Sequence, residues 1–326
     1  MVAGRLPRLA AAGLGLGLGA AAGAVANAQV RLARWETLDY RELRAPDGRH
    51  LTLPDGAEVH YVDRGAGFPV VLIHGFGYSY FTWRLNQPAL AERFRAVALD
   101  LPGFGASART RLARFAVRTQ AGAVRDFIRE LGIDRAHIIG HSLGGTIALR
   151  LALDHPEVVG RLVVVDSPLE PPRLPFGLIR RAAGLGPVGP AVFKALFYYG
   201  LIAGRRFRSG VAGTYAPDPV PEGVMEHFER LYRVRGSADT LVAIIKSPPT
   251  DPYLTADLPD LRVPLLAVWG GADRVVPPRV ADRLRQLVPA ARVEVLPGAG
   301  HHPHETRPAE FNRLVREFLG PTDDRL

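Results

Sequence analysis

A serine between glycines, in Gly140-His141-Ser142-Leu143-Gly144, follows the apolar run Ala136 to Ile139 and opens an apolar stretch from Thr146 to Leu153. A serine hydroxyl is a weak nucleophile until a base takes its proton, so it does chemistry only with partners. A strand, a sharp turn and a helix are the setting that pushes such a serine above a sheet edge. Glycines belong on either side of it, because the backbone there must pass where a side chain has no room. A carboxylate and an imidazole lie downstream. Asp273 closes Trp269-Gly270-Gly271-Ala272-Asp273, just past the apolar run Leu265 to Trp269, and His301 follows Leu296-Pro297-Gly298-Ala299-Gly300. Nucleophile, general base and orienting acid are the set that acyl transfer needs.

Each of these residues has a competitor. Asp166 ends the run Leu162 to Val165 and is the alternative acid, and His302 and His304 sit beside His301. The histidine-rich loop is better read as part of a triad than as a zinc site, so the expectation is no metal and no cofactor.

Such residues need a scaffold. After Trp35, short β-type runs alternate with helical patterns: 58–63, 70–73, 95–100, 137–141, 162–166, 265–269 and 293–296. This alternation predicts an α/β fold with a mostly parallel central sheet and helices on both faces. Val70-Val71-Leu72-Ile73 and Leu162-Val163-Val164-Val165 are continuously apolar, as strands covered on both sides are. From 168 to 259 the strand pattern stops, and helical segments such as Pro190 to Ala203 and Pro221 to Arg235 take over. The expected organisation is a core of 35–167 and 260–326, a helical cap inserted at 168–259, and a separate N-terminal segment, 1–34.

With these motifs in place, the sequence from about Leu51 to Leu319 resembles the α/β-hydrolase superfamily. The resemblance implies a loop at His74-Gly75-Phe76-Gly77 whose Phe76 backbone N–H joins that of Leu143 in an oxyanion hole. Losing one such donor typically costs about 3 kcal/mol of transition-state stabilisation. It also implies the chain order Ser142, Asp273, His301, which favours Asp273 over Asp166. Asp100-Leu101-Pro102-Gly103-Phe104-Gly105-Ala106-Ser107 looks like the family's turn after a core strand, structural rather than chemical. Relatives often carry Glu five residues after the histidine, whereas Thr306 stands there and the acid is Glu305. A serine at the elbow argues against epoxide hydrolases and haloalkane dehalogenases of this fold, which use aspartate there.

Composition narrows the rest. Cysteine is absent, which excludes disulfides, thiolate catalysis and thiolate-bound zinc. The net charge of +9 is almost wholly arginine, since Lys194 and Lys246 are the only lysines, and it is spread along the chain. A nucleic-acid footprint would be clustered, so no nucleic-acid partner is expected, nor is a protein partner indicated.

At the N-terminus, Arg5 and Arg8 precede an apolar, Gly-rich run from Leu9, and Ala26-Asn27-Ala28 has the small-x-small form of a cleavage site. The segment reads as an export signal or, uncut, as an anchor from Leu9 to Val30, placing the protein in the cell envelope or periplasm; the alternative is a cytoplasmic extension. In the cap, Ala191 to Ile202 is apolar nearly all round and is followed by Arg205, Arg206 and Arg208. Plain core is one reading of it, and an acyl-chain tunnel or interfacial face with a basic rim is the other. The expected function is hydrolysis of a small-molecule carboxylic ester, lipophilic or lipid, through an acyl-enzyme, with membrane association. Carbon–carbon bond hydrolysis, cofactor-free perhydrolysis and a catalytically silent binding protein are the alternatives.

Overall fold

The computed structural model describes residues 6–109, 115–170, 186, 188–199, 205–246, 251 and 253–320. Eight strands form one sheet in the order β1-β2-β4-β3-β5-β6-β7-β8. They are β1 (Arg49–Thr52), β2 (Glu58–Arg64), β3 (Pro69–Ile73), β4 (Arg95–Leu99), β5 (Ala136–His141), β6 (Val159–Val165), β7 (Leu265–Gly270) and β8 (Arg292–Leu296). The β1–β2 and β2–β4 pairs are antiparallel, and every other neighbouring pair is parallel. The edge strand β1 escapes sequence reading because Arg-His-Leu-Thr is too short and polar to stand out from a loop.

Successive strand residues face opposite sides, so a continuous apolar run feeds two cores at once. Val71 and Ile73 pack with Phe127, Ile147 and Leu151 on one face, and Val70 and Leu72 pack with Trp83, Leu90 and Phe311 on the other. The helices that cover these faces are built for it. In α3 (Val117–Glu130) the buried residues are Val117, Gln120, Ala121, Val124, Phe127 and Ile128, the spacing of one helical stripe. α2 (Gln87–Ala91) precedes α3, and α4 (Leu143–Asp154) runs straight out of β5 and is buried over most of its length.

Between β6 and β7 the described residues form helices and no strand. They are α5 (Val188–Phe197), α6 (Arg205–Tyr215), α7 (Val224–Tyr232), α8 (Ser237–Lys246) and the short α9 (Leu254–Asp257). The end of the expected segment Pro190 to Ala203 lies outside the described residues. Phe207, Val211, Tyr215, Val224, Phe228 and Leu231 make a further apolar cluster that closes on Tyr78 and Ala106 of the core loops. After β7 the described residues also form α10 (Arg279–Leu287), before β8, and α11 (Pro303–Thr306) and α12 (Pro308–Leu319) after it.

Ahead of the sheet, α1 (Leu6–Trp35) is one helix of 30 residues. Its second half is tied to the helices between β6 and β7. Ala28 and Leu32 are buried, Leu32 packs with Phe197 and Ala238, and Gln29 donates to the Ala191 carbonyl at 3.0 Å. Among the described residues no helix is long and apolar enough to cross a membrane.

Candidate active site

Ser142 sits between β5 and α4 at φ 52° and ψ −119°, a conformation that L residues rarely adopt. The glycines make that turn feasible. A Cβ on Gly140 would lie 2.4 Å from the Gly144 carbonyl oxygen, and one on Gly144 would lie 2.3 Å from that of Ile73. The Ser142 N–H is held by the Val165 carbonyl at 2.8 Å, so β6 fixes the turn from the side.

Three side chains predicted to act together lie in one hydrogen-bonded series. His301 Nε2 is 3.1 Å from Ser142 Oγ, and His301 Nδ1 is 2.8 Å from Asp273 Oδ2. An ionised carboxylate only accepts, so Nδ1–H donates to Asp273 and bare Nε2 receives the serine hydroxyl. Asp273 is anchored in turn, its Oδ1 accepting from the N–H groups of Val275 and Val276 at 2.7 and 3.1 Å. The Trp269 indole donates to the Val276 carbonyl, which ties this loop to the end of β7. Both Asp273 and His301 are buried.

The other acid plays a different part. Asp166, at φ 45°, is fully buried, and its Oδ1 accepts from the Gly270 N–H at 2.8 Å. Burial and the neighbouring Asp273 carboxylate hold its pKa well above the usual carboxylate range, which favours the neutral acid.

The loop expected to supply an oxyanion donor passes beside the serine, for a Cβ on Gly75 would come within 3.2 Å of Ser142 Cβ. Leu143 is the first residue of α4, so its N–H has no acceptor within the helix. The Phe76 side chain is exposed towards the cavity. His74 is a packing residue: its Nδ1–H donates to the Gly75 carbonyl at 2.7 Å, and its Nε2 accepts from the Leu101 N–H at 3.0 Å. Asp100, at the end of β4, accepts from the N–H groups of Tyr80 and Ala106 and pairs with buried His60, which pins the turn that follows.

Sequence reading missed a polar network behind His301. The Glu305 carboxylate accepts from Thr82, Tyr215, Tyr78 and Arg84. Burial opposes its ionisation, but the contacts of His302, His304 and Arg84 outweigh it and hold the carboxyl well below the usual range. Glu305 thus stands one residue away from the family position and still anchors the loop. Burial also lowers the pKa of the histidines packed here: His141 well below normal, His302 less so, and His304 to about 3.

Ser142 opens onto two cavities. One of about 330 Å³ lies under α6 and α7, lined by Phe76, Phe207, Val211, Phe228 and Tyr232. The other, about 440 Å³, is lined by Leu169, Glu170, Val276, Pro277, Arg279 and Arg283, and Val275 borders both.

The chain belongs to the alpha/beta hydrolase family, whose sequence model matches residues 70–314. An uncharacterized protein of Mycobacterium tuberculosis is 31% identical over 279 residues, covering 79% of this chain and 77% of that one. The 2-hydroxy-6-oxononadienedioate/2-hydroxy-6-oxononatrienedioate hydrolase of Burkholderia vietnamiensis is 31% identical over 276 residues, covering 81% and 92%. Among solved structures, a membrane phospholipase A described as a novel bacterial virulence factor is 27% identical with a TM-score of 0.66. It covers 96% of this chain and 98% of its own. Membership in this family makes the protein a hydrolase of the α/β type.

Proposed function

We propose that the protein is a serine hydrolase of lipophilic carboxylic esters. The observation that carries this reading is the hydrogen-bonded series Ser142, His301, Asp273 at the mouth of an apolar cavity. In this mechanism Nε2 of His301 takes the Ser142 proton as Oγ attacks the ester carbonyl, and the imidazolium that forms is stabilised by Asp273. The developing oxyanion meets the backbone N–H groups of Phe76 and Leu143. His301 then returns the proton to the leaving alcohol, and water hydrolyses the acyl-enzyme by the same route in reverse. The helices between β6 and β7 act as a cap. The acyl chain takes the apolar cavity beneath α6 and α7, and the alcohol takes the cavity rimmed by Arg279 and Arg283.

The setting proposed is the cell envelope, with α1 and the arginines near the cap mouth at a membrane surface. Likeness to the phospholipase A structure over 96% of the chain supports this, since that overlap is long enough to include much of α1. Deleting residues 1–20 leaves the contacts of Asn27, Ala28 and Gln29 in place. Loss of vesicle binding with unchanged turnover of a soluble ester is the expected result, and undiminished binding would count against this setting.

A second reading, carbon–carbon bond hydrolysis of a vinylogous diketone, is favoured by the name of the Burkholderia relative. Turnover of p-nitrophenyl esters of increasing acyl length, with Ser142→Ala as control, separates the two. Activity that rises with chain length and vanishes in the variant supports the ester reading. No Ser142-dependent ester turnover, with cleavage of a 2-hydroxy-6-oxo dienoate, replaces it with the second.

A further inference from the structure

His141, His302 and His304 are buried, and one ring nitrogen of each lies within 4.8 Å of those of the other two. None is part of the Ser142–His301–Asp273 series. Their rings crowd together, with centroids 4.5 Å apart for His141 and His304, 4.8 Å for His141 and His302, and 6.0 Å for His302 and His304.

Hydrogen bonds fix the tautomer of His141 and His304 and favour the same one in His302. His141 Nε2 is 2.8 Å from the His301 carbonyl oxygen, which only accepts, so Nε2 carries the proton. His304 Nε2 is 2.7 Å from Thr82 Oγ1, whose own proton goes to the Glu305 carboxylate at 2.7 Å, so here too Nε2–H is the donor. His302 Nε2 is 3.2 Å from Thr214 Oγ1, whose proton goes to the Val211 carbonyl at 2.8 Å, which favours Nε2–H here as well, against the pull of the Glu305 carboxylate 3.5 Å from Nδ1. Three neutral imidazoles are therefore left with bare Nδ1 lone pairs. Each Nδ1 is buried, and among the described residues no protein donor satisfies it.

A ring nitrogen fixed as acceptor by a hydrogen bond from the other nitrogen is the arrangement found around metal-bound histidines. We propose that His141, His302 and His304 bind one divalent transition-metal ion of the zinc class through their Nδ1 atoms. Neutral imidazole suits such ions and suits calcium or magnesium poorly. Tetrahedral bonds of about 2.0–2.1 Å need the nitrogens roughly 3.3 Å apart, so the rings must turn to bring their Nδ1 atoms together on binding. The ion reaches them through the active-site cavity, which His141 and His302 both line, and a fourth ligand comes from that side. Because His141 precedes Ser142 and its Nε2–H holds the His301 carbonyl, occupancy bears on both partners of the proposed proton transfer. The competing occupant is a proton on His302 Nδ1, 3.5 Å from Glu305 Oε1.

The test uses the full chain, stripped with a chelator, loaded with zinc alone and gel-filtered before metal analysis. Wild type and His301→Ala are expected to retain about one zinc per chain, as a three-histidine site does. His302→Ala and His304→Ala, checked for folding by circular dichroism, are expected to lose it. Thr82→Ala, which removes the acceptor for His304 Nε2–H, should weaken binding about 10–100-fold. Retention by His304→Ala overturns the assignment, as does loss in His301→Ala alone, which would place the ion at Asp166, Asp273 and His301. Cobalt in the wild-type chain needs no variant: the strong visible bands of a four-coordinate ion support the site. No retained metal, or only the weak bands of a hydrated ion, overturns it in favour of the proton.

Discussion

Asp166 and Asp273 are two buried carboxyl groups on adjacent strand ends, and only Asp273 bonds to His301. Asp166 instead accepts from the Gly270 backbone, and burial beside the Asp273 carboxylate raises its pKa well above the usual range. Two acids that compete in the sequence are thus divided into a hydrogen-bonded partner of the imidazole and a neighbour whose ionisation burial disfavours.

That division predicts unequal costs. Asp273→Asn leaves His301 without an acceptor for Nδ1–H and favours the wrong tautomer, for which a loss of about 10⁴ in kcat is expected. Asp166→Asn exchanges a neutral acid for a neutral amide that still accepts from Gly270, and kcat should change by less than about tenfold, the equivalent of one modest hydrogen bond. Steady-state kinetics on a p-nitrophenyl ester decides it, and a greater loss in Asp166→Asn would reverse the assignment.

Glycine substitutions test the turn itself. Gly144→Ala drives a Cβ to 2.3 Å from the Ile73 oxygen and 2.5 Å from that of His74, both backbone atoms that cannot swing aside. Overpacking of this kind costs about 1–3 kcal/mol, and because α4 must back away from β3, activity should fall with it. Gly122→Ala is the control, since its Cβ meets nothing within 4 Å inside α3. That change should stabilise by about 0.5–1 kcal/mol in urea melts and leave kinetics alone.

Acid stability should carry the mark of His227. Its Nε2 is 2.6 Å from Ser79 Oγ and its ring stacks on Phe81, while burial lowers its pKa to about 4. Asp100 and Glu305 oppose that shift, and Arg230 and Arg84 add to it. Between pH 6.5 and about 4 the unfolded chain holds a proton on this residue that the folded chain lacks, so stability falls as pH falls through that window. The slope from this group is up to about 1.4 kcal/mol per pH unit. In His227→Gln, urea melts across this range should show a shallower slope by up to that amount, and an unchanged slope would assign the loss to other groups.

Legibility in the sequence followed the range of the interactions involved. The strands of the parallel sheet and the positions of Ser142, Asp273 and His301 could be read because each rests on a local pattern: an apolar run, then a turn residue. Glu305 could not be interpreted that way. Its partners Thr82, Tyr78 and Tyr215 are 223, 227 and 90 residues away along the chain, and only the folded loops bring them together. The three bare Nδ1 atoms were hidden for the same reason, since His141 and His302 meet only once β5 lies beneath the loop after β8. In α6, Arg205–Tyr215, Gly210 and Gly213 weaken the helical pattern, and burial of Phe207, Val211 and Tyr215 over the core restores it.

The apolar cavity makes the last prediction. Val211 of α6 lines the cavity onto which Ser142 opens, together with Phe76 and Phe228, where the proposed acyl chain lies. Val211→Trp fills part of that space without touching Ser142, His301 or Asp273. Short acyl groups still fit, so kcat/KM for an acetyl ester should stay near wild type, whereas each methylene pushed out of an apolar pocket forfeits binding worth about 1–3 kcal/mol at the transition state. The chain-length optimum should therefore move to shorter esters, with losses of roughly 10–200-fold on the longest. If long and short esters lose activity equally, the chain does not run beneath α6, and the cavity bordered by Val275, Arg279 and Arg283 becomes the acyl site instead.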